Sequence, residues 1–295
     1  MAREAATGHA TSLSDMFNRM GARPMARAVL VLVAVSVGPL AHAQQILDPL
    51  PKEDAPAPAD EVQAATEADA ERAPSAAIPS VQVIPSRRGA YRLHRWSFAL
   101  ARTRLEILDA RVWSSLEDAV RARRASLVIN AGFFSRDGEP VGLSRSGGRT
   151  FSSFATRLGG GVLTLAAGRA NLHDVDRFML PDATDFAVQC RPRLVVDGAS
   201  NIVSRRRSRA DRTALCLRDG GATLDVFVAR SDRRDAKGGP TLRELARMLA
   251  ARGCESALNL DGGPSTAVAW RDRSAIRTMP PRGAIVQAIA VHTTE

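Results

Sequence analysis

The chain has 295 residues, with 41 lysines and arginines against 31 acids, a net charge of +10 and only 4% aromatics. Such a field draws anionic partners, phosphorylated sugars and acidic polymers among them. So few aromatics, and no helix-turn-helix, zinc-finger or RNA-stacking motif, leave nucleic acid out as an expected partner. Three cysteines, Cys190, Cys216 and Cys254, show no C-x-x-C pairing, which argues against a zinc site. In an oxidising compartment two of them can be joined, and the sequence does not say which.

The first 88 residues do not read as part of a fold. Arg19, Arg23 and Arg27 precede the apolar run Ala28 to Val37, followed by Pro39 and Ala41-His42-Ala43. That is the pattern of a general secretory signal cut after Ala43, which places the mature protein in the periplasm or outside the cell. The run is shorter than the roughly 20 residues a membrane span needs, so no stable span is expected after cleavage. Residues 44–88 are rich in Pro, Ala, Asp and Glu. They cannot bury enough apolar surface to offset ordering, and the expectation is a disordered linker. One domain then runs over residues 89–295.

Within it, Tyr91 to Ala101 and Arg104 to Leu108 alternate and predict a hairpin, with Trp96 and Phe98 on one face and Ile107 pairing from the next strand. Ser114 and Glu117 open a helix that reaches Arg124. It hands over to a buried strand, Ser126 to Ile129, ending at Asn130-Ala131-Gly132-Phe133-Phe134. Asn130 can present an amide there, and Phe133 an apolar wall. Ser135 to Arg149, with Asp137, Glu139 and several glycines, reads as a loop rimming a small-molecule site.

Further strands are predicted at Phe151 to Phe154, Gly160 to Ala166, Ala187 to Gln189, Leu194 to Val196, Thr213 to Leu217 and Leu224 to Ala229, with a short helix at Val175 to Phe178. The Leu194 strand ends at the turn Asp197-Gly198. Arg212 abuts the Thr213 strand, whose packing can hold its guanidinium still for a phosphate. Thr241 and Glu244 open a second helix, which Gly253 ends. Gly283 to His292 gives the last strand. Many strands with two helices predict an α+β domain: a mixed, mostly antiparallel sheet core flanked by helices.

The most informative stretch is Ala257 to Trp270, A-L-N-L-D-G-G-P-S-T-A-V-A-W. A buried strand stops at Asp261-Gly262-Gly263-Pro264 and apolar residues resume at Ala267. Asp261 can carry charge or move a proton, and the glycines let backbone N–H groups approach a ligand. The same residues also suit a hairpin whose Asp261 caps its own turn while Ser265 and Thr266 face water. G-P-S-T-A around Ser265 lies one residue from a nucleophile elbow and raises a serine hydrolase, although a strand rather than a helix follows it. A non-catalytic binder of anionic glycans, using the arginines near 205–209, is the remaining alternative.

N-A-G-F-F (Asn130 to Phe134), Q-C-R-P-R-L-V-V-D-G (Gln189 to Gly198), R-T-A (Arg212 to Ala214), T-L-R-E-L-A and N-L-D-G-G-P-S-T (Asn259 to Thr266) together resemble the phosphodiester glycosidase family over roughly Leu93 to Val291. The resemblance implies hydrolysis of a sugar joined through its anomeric oxygen to a phosphodiester, whether of N-acetylglucosamine or of a related envelope or exopolysaccharide glycan. It implies a site made of Asn130, Arg212 and Asp261 with Gly262, Gly263, Ser265 and Thr266, and with Gln189 and Asp197 nearby. Arg212 and the N–H groups of Gly262 and Gly263 would hold the phosphate, Asp261 would serve the anomeric carbon, and Glu139 or Asp137 would be a second carboxylate. No cofactor is expected; an oxygen-ligated Ca²⁺ stays open. The oligomeric state is not legible.

Overall fold

A computed structural model describes residues 77–294 apart from 88, 205 and 206, all within one compact unit. The expected signal peptide and most of the expected linker lie outside the described residues. The strands begin with β1 (Ser80–Ser86), β2 (Gly89–Ala99), β3 (Thr103–Asp109), β4 (Leu127–Asn130), β5 (Phe133–Phe134) and β6 (Pro140–Val141). They continue with β7 (Ser144–Ser146), β8 (Arg149–Ser152), β9 (Gly161–Ala166), β10 (Arg169–Asp174), β11 (Phe186–Cys190), β12 (Arg193–Val196) and β13 (Ala199–Ser200). The last are β14 (Arg212–Arg218), β15 (Thr223–Ser231), β16 (Ser256–Asn259), β17 (Val268–Asp272), β18 (Ala275–Met279) and β19 (Gln287–Thr293). The α-helices are α1 (Leu116–Ala122) and α2 (Leu242–Ala250).

A seven-stranded sheet runs β1-β2-β15-β14-β16-β12-β13, and two five-stranded sheets run β18-β17-β4-β19-β3 and β10-β9-β11-β7-β8. Every ladder among the described residues is antiparallel. The expected mixed α+β class is therefore corrected to a largely β architecture. Its main core lies where the three sheets face one another, around Trp96, Ile107, Ile129, Leu163, Phe186, Leu215, Leu258 and Ile289. Each helix is one short cover: α2 lays Leu245, Ala246 and Leu249 over Ala214, Cys216 and Ala257 on the outer face of the first sheet. On the second sheet α1 covers Ala267, Ala269, Ala288 and Ala290. Small residues on the outer faces let the helices approach, and a capping box from Thr241 and Glu244 fixes the start of α2.

Three local expectations change. Residues 80–86, read as linker, form edge strand β1, because Val81 and its neighbours register against β2. β2 and β3 do not make a hairpin; β2 pairs with β15 and β3 with β19. Trp96 and Phe98 do share one face of β2, but Ile107 does not pair beside them; it pairs with Ile289 and meets them across the core between sheets. The stretch 135–149 contains β6 and β7 and is not a bare loop.

Cys216 and Cys254 form a disulfide across a separation of 38 residues, and Cys190 is free and buried. On a chain-entropy estimate a loop of that size contributes about 4 kcal/mol. Glu106 in β3 faces His292 of β19 at 2.9 Å and Arg123 at the end of α1. Burial alone would raise its pKa, but His292 and Arg123 outweigh burial and hold it at about 2, below the ordinary 4.5. A depressed carboxylate stabilises the fold above its unfolded pKa and ceases to as pH falls through the folded one. We expect a loss on the order of 3 kcal/mol between about pH 4.5 and pH 2. Thermal unfolding of wild type and Glu106→Gln across that window checks it: the variant should lose less on acidification, and parallel curves would exclude this pair as the cause.

Candidate active site

The end of β16 carries the chain out of the first sheet and, through residues 261–267, into β17 of the second. The Asp261 turn is thus a crossing between sheets and not a hairpin. Asn130, at the end of β4, joins the pieces. Its Nδ2 donates to Asp261 O at 2.8 Å, and its Oδ1 accepts from Thr213 Oγ1 at 2.7 Å and from Ala267 N at 3.1 Å. The side chain is 1% exposed. The amide is spent on two backbone groups and the Thr213 hydroxyl, which ties three segments of the chain together, so Asn130 is a structural hub of the site.

Ala214 lies opposite Asn259 in the β14–β16 ladder, and Leu260 N bonds Thr213 O at 2.9 Å. Beyond Leu260 the register slips, since Gly263 N bonds Asp211 O at 2.7 Å and Asp261 N turns to Ala131 O at 3.1 Å; Arg212 and Asp261 therefore stand at the adjoining ends of β14 and β16, with no described contact between their side chains. Gly262 lies against both Asp211 and Arg212: a Cβ there would stand 2.9 Å from Asp211 O and 3.7 Å from Arg212 Cδ, so only glycine fits. Gly263 has φ of +61°.

Arg212 is half-buried and makes no ion pair among the described residues. Its Nε and Nη2 reach the carbonyls of Pro240 and Ser208, each at 3.4 Å. Burial lowers its pKa, with Asp211 opposing, and an arginine keeps its charge regardless. Asp261 is half-buried as well. Burial raises its pKa; the Ser265 hydroxyl and the Gly262 N–H, which donates to Oδ1 at 2.8 Å, pull the other way. The Ser265 hydroxyl has one proton, and Ala284 O accepts it at 2.9 Å, so its help to Asp261 is weak and burial prevails. Phe133 is half-buried against the main core. Thr266 is fully buried, and its Oγ1 has no hydrogen-bond partner.

Several sequence-based assignments change here. The N–H groups of Gly262 and Gly263, expected to grip a phosphate, are already used: one by Asp261 Oδ1, the other by Asp211 O at 2.7 Å. Gln189 is 1% exposed; its amide clamps Leu143 N and both backbone groups of Ala155, which makes it a scaffold residue. Asp197 is exposed in the β12–β13 turn beside Glu255, at the opposite end of β16 from Asp261 and about 20 Å along the strand. Glu139 is exposed at the β5–β6 turn, and its carboxylate lies 3.9 Å from Arg111. No described contact brings it to Asp261. Asp137 shares that turn.

A Ser-His arrangement is not formed among the described residues. Ser265 gives its proton to Ala284 O, His292 faces Glu106, His173 faces Thr164, and His94 stacks on Trp96. Among the described residues, no three His, Cys, Asp or Glu side chains gather as a metal-holding group. No helix there is long and apolar enough to cross a membrane.

Sequence reading missed Asp211, Arg230 and Arg282. Asp211 is fully buried, pairs with Arg282 and lies 3.6 Å from Arg230 Nε. A charged residue closing the apolar run Leu224 to Ala229, and an arginine after two prolines at 280–281, were the available signals.

Solved structures show the same fold at low identity. A hypothetical protein from Synechocystis matches with a TM-score of 0.56 and 16% identity, over 73% of this chain and 62% of the other. This chain therefore spans less than two thirds of that protein. The zebrafish N-acetylglucosamine-1-phosphodiester α-N-acetylglucosaminidase catalytic domain, auto-inhibited by its pro-peptide, matches at 0.57 and 14%, over 73% and 82%. An exported protein from Burkholderia pseudomallei matches at 0.52 and 12%, over 68% and 74%. No curated protein matches the sequence significantly. The family model of the phosphodiester glycosidases, however, matches residues 123–292, which takes in the Asn130 hub, the Arg212 strand and the Asp261 crossing, and the chain belongs to that family.

Proposed function

We propose that the protein hydrolyses the glycosidic bond of a sugar-1-phosphodiester, releasing the sugar and a phosphomonoester. The observation that carries the reading is that Arg212 and Asp261 stand at the adjoining ends of β14 and β16: a guanidinium with no ion pair among the described residues, packed against Gly262, and next to that glycine a carboxyl group whose affinity for protons is raised by burial. Cleaving the anomeric C–O bond leaves negative charge on the phosphate and positive charge on the sugar. The half-buried Arg212 stabilises the first because its paired donors match two phosphate oxygens. Asp261, ionised, meets the second. The departing phosphate is already a good leaving group, so the step asks little of a general acid. The attacking water then gives its oxygen to the anomeric carbon; one of its protons stays on the new sugar hydroxyl and the other leaves by way of the Asp261 carboxylate to the phosphomonoester or solvent.

The proposed substrate is an N-acetylglucosamine-type or related envelope or exopolysaccharide glycan, and the proposed location is the periplasm or the exterior. The disulfide among the described residues and the signal-like first 43 residues support that location.

The test is a panel of sugar-1-phosphodiesters and UDP-sugars with both products identified. Free sugar plus phosphomonoester is expected. A sugar phosphate would instead mean cleavage at phosphorus and overturn the reading. The anomer first released, followed by NMR, separates Asp261 as nucleophile (retention) from Asp261 as base for water (inversion).

A further inference from the structure

Apart from Ser265, whose N–H meets Gly262 O at 3.3 Å and whose hydroxyl lies beside Asp261, the described polar links that leave residues 263–266 end on one ion cluster or on the loop beside it. Asp211 has its acceptor positions filled. Oδ1 accepts from Ser231 N at 3.0 Å and Ser231 Oγ at 2.7 Å; Oδ2 takes Arg282 Nη1, with Arg230 Nε 3.6 Å away. The two arginines spend their other donors on backbone. Arg230 reaches Thr266 O and, at 2.6 Å, Pro280 O; Arg282 reaches Ser231 O at 2.7 Å. The N–H groups of Arg282 and Gly283 both meet Pro264 O, at 2.7 and 3.0 Å. Asp211 O holds Gly263 N, and Ala284 O takes the Ser265 proton.

Two half-buried cations around one fully buried carboxylate leave a positive charge without a partner, which costs stability. Asp211, which gathers that charge, directly precedes Arg212, where a phosphate would arrive. A matched arrangement stands at the other end of β14: buried Asp225 holds Arg218 and Arg95, each at 2.8 Å. It touches no part of the Asp261 crossing and serves as an internal control.

We propose that Arg230 and Arg282, gathered on Asp211, are positioning residues: they set the 263–266 turn and, through it, the direction in which Asp261 presents its carboxylate beside Arg212. The inference rests on the proposed reaction, so its test carries a readout independent of turnover. Arg282→Ala is expected to lower kcat on a sugar-1-phosphodiester about 10²-fold, as a displacement of roughly 1 Å at a reacting group does, with KM within about threefold. Added guanidinium should restore part of the loss. Arg218→Ala should lose comparable thermal stability and keep kcat within about twofold.

Equal kcat losses in the two variants, or a rise in KM alone, would overturn the positioning role. The independent readout is the ¹³C titration of the Asp261 carboxyl, which should move in Arg282→Ala and stay put in Arg218→Ala. If wild type cleaves no sugar-phosphodiester, the proposed reaction fails, and an unmoved Asp261 titration would still be needed to sink this inference. Should Arg282→Ala not fold, Arg282→Lys keeps the charge, loses the forked geometry and is read in the same way.

Discussion

Asp261→Asn lowers kcat by about 10³-fold or more and leaves the protein folded; that is the largest effect we expect from any single change. Asparagine has the same shape, and its Oδ1 can keep the hydrogen bond from Gly262 N–H that Asp261 accepts at 2.8 Å. What disappears is the negative charge. Burial disfavours that charge in the folded protein. Removing it therefore should not lower stability at neutral pH, and the melting temperature should hold or rise slightly. The same burial fixes the sign of the pH dependence. Asp261 works ionised, its pKa is raised, and activity should fall as pH drops through a value above the ordinary carboxylate range. A rate-against-pH profile reads this directly. An acid limb at or below the ordinary Asp range, or a variant that keeps wild-type kcat, removes Asp261 from the chemistry.

The second large effect belongs to Arg212. Among the described residues its guanidinium hydrogen-bonds only two carbonyls, at long range, and the nearby Asp211 keeps Arg282, so substitution leaves no buried anion stranded. Arg212→Ala should lower kcat/KM for phosphodiester substrates by about 10²- to 10³-fold, the usual cost of losing one preorganised charge-stabilising donor. Uncharged aryl glycosides of the same sugar should change by no more than about threefold, because their leaving group offers the guanidinium no pair of anionic oxygens. Arg212→Lys should recover little, since a single ammonium cannot replace the fork. Equal losses on both substrate classes would mean that Arg212 supports the fold or the sugar and not the phosphate.

The sequence was informative where one residue type had one job. Apolar runs ending in polar stops placed β4, β14 and β16 to within a residue or two, and Thr241 with Glu244 announced α2. Pairing was less legible: β2 and β3 are neighbours in sequence yet enter different sheets, because Leu100–Arg102 turns the chain between them. In the site, Asp261 and Arg212 stood out as charges at strand ends. The roles of Asn130 and Gln189 could not be read, because an amide that binds substrate and one that binds backbone look alike in a sequence. Asp197 failed for a geometric reason: it is close to Asp261 through motif order but sits at the wrong end of an antiparallel strand. Asp211, Arg230 and Arg282 were hidden because their meaning lies in contacts 19 to 71 residues apart, counted from Asp211.

The cystine bridge has a bearing on how the protein must be made. Cys216 lies four positions beyond Arg212 on β14, and Cys254 opens the segment that runs into β16 and Asp261. The covalent link therefore fastens β14, which begins at Arg212, to the segment that enters β16 and leads on to Asp261. Material produced in a reducing cytosol would lack that fastening, and a weak preparation from such a host would say more about the redox history of the sample than about the catalyst.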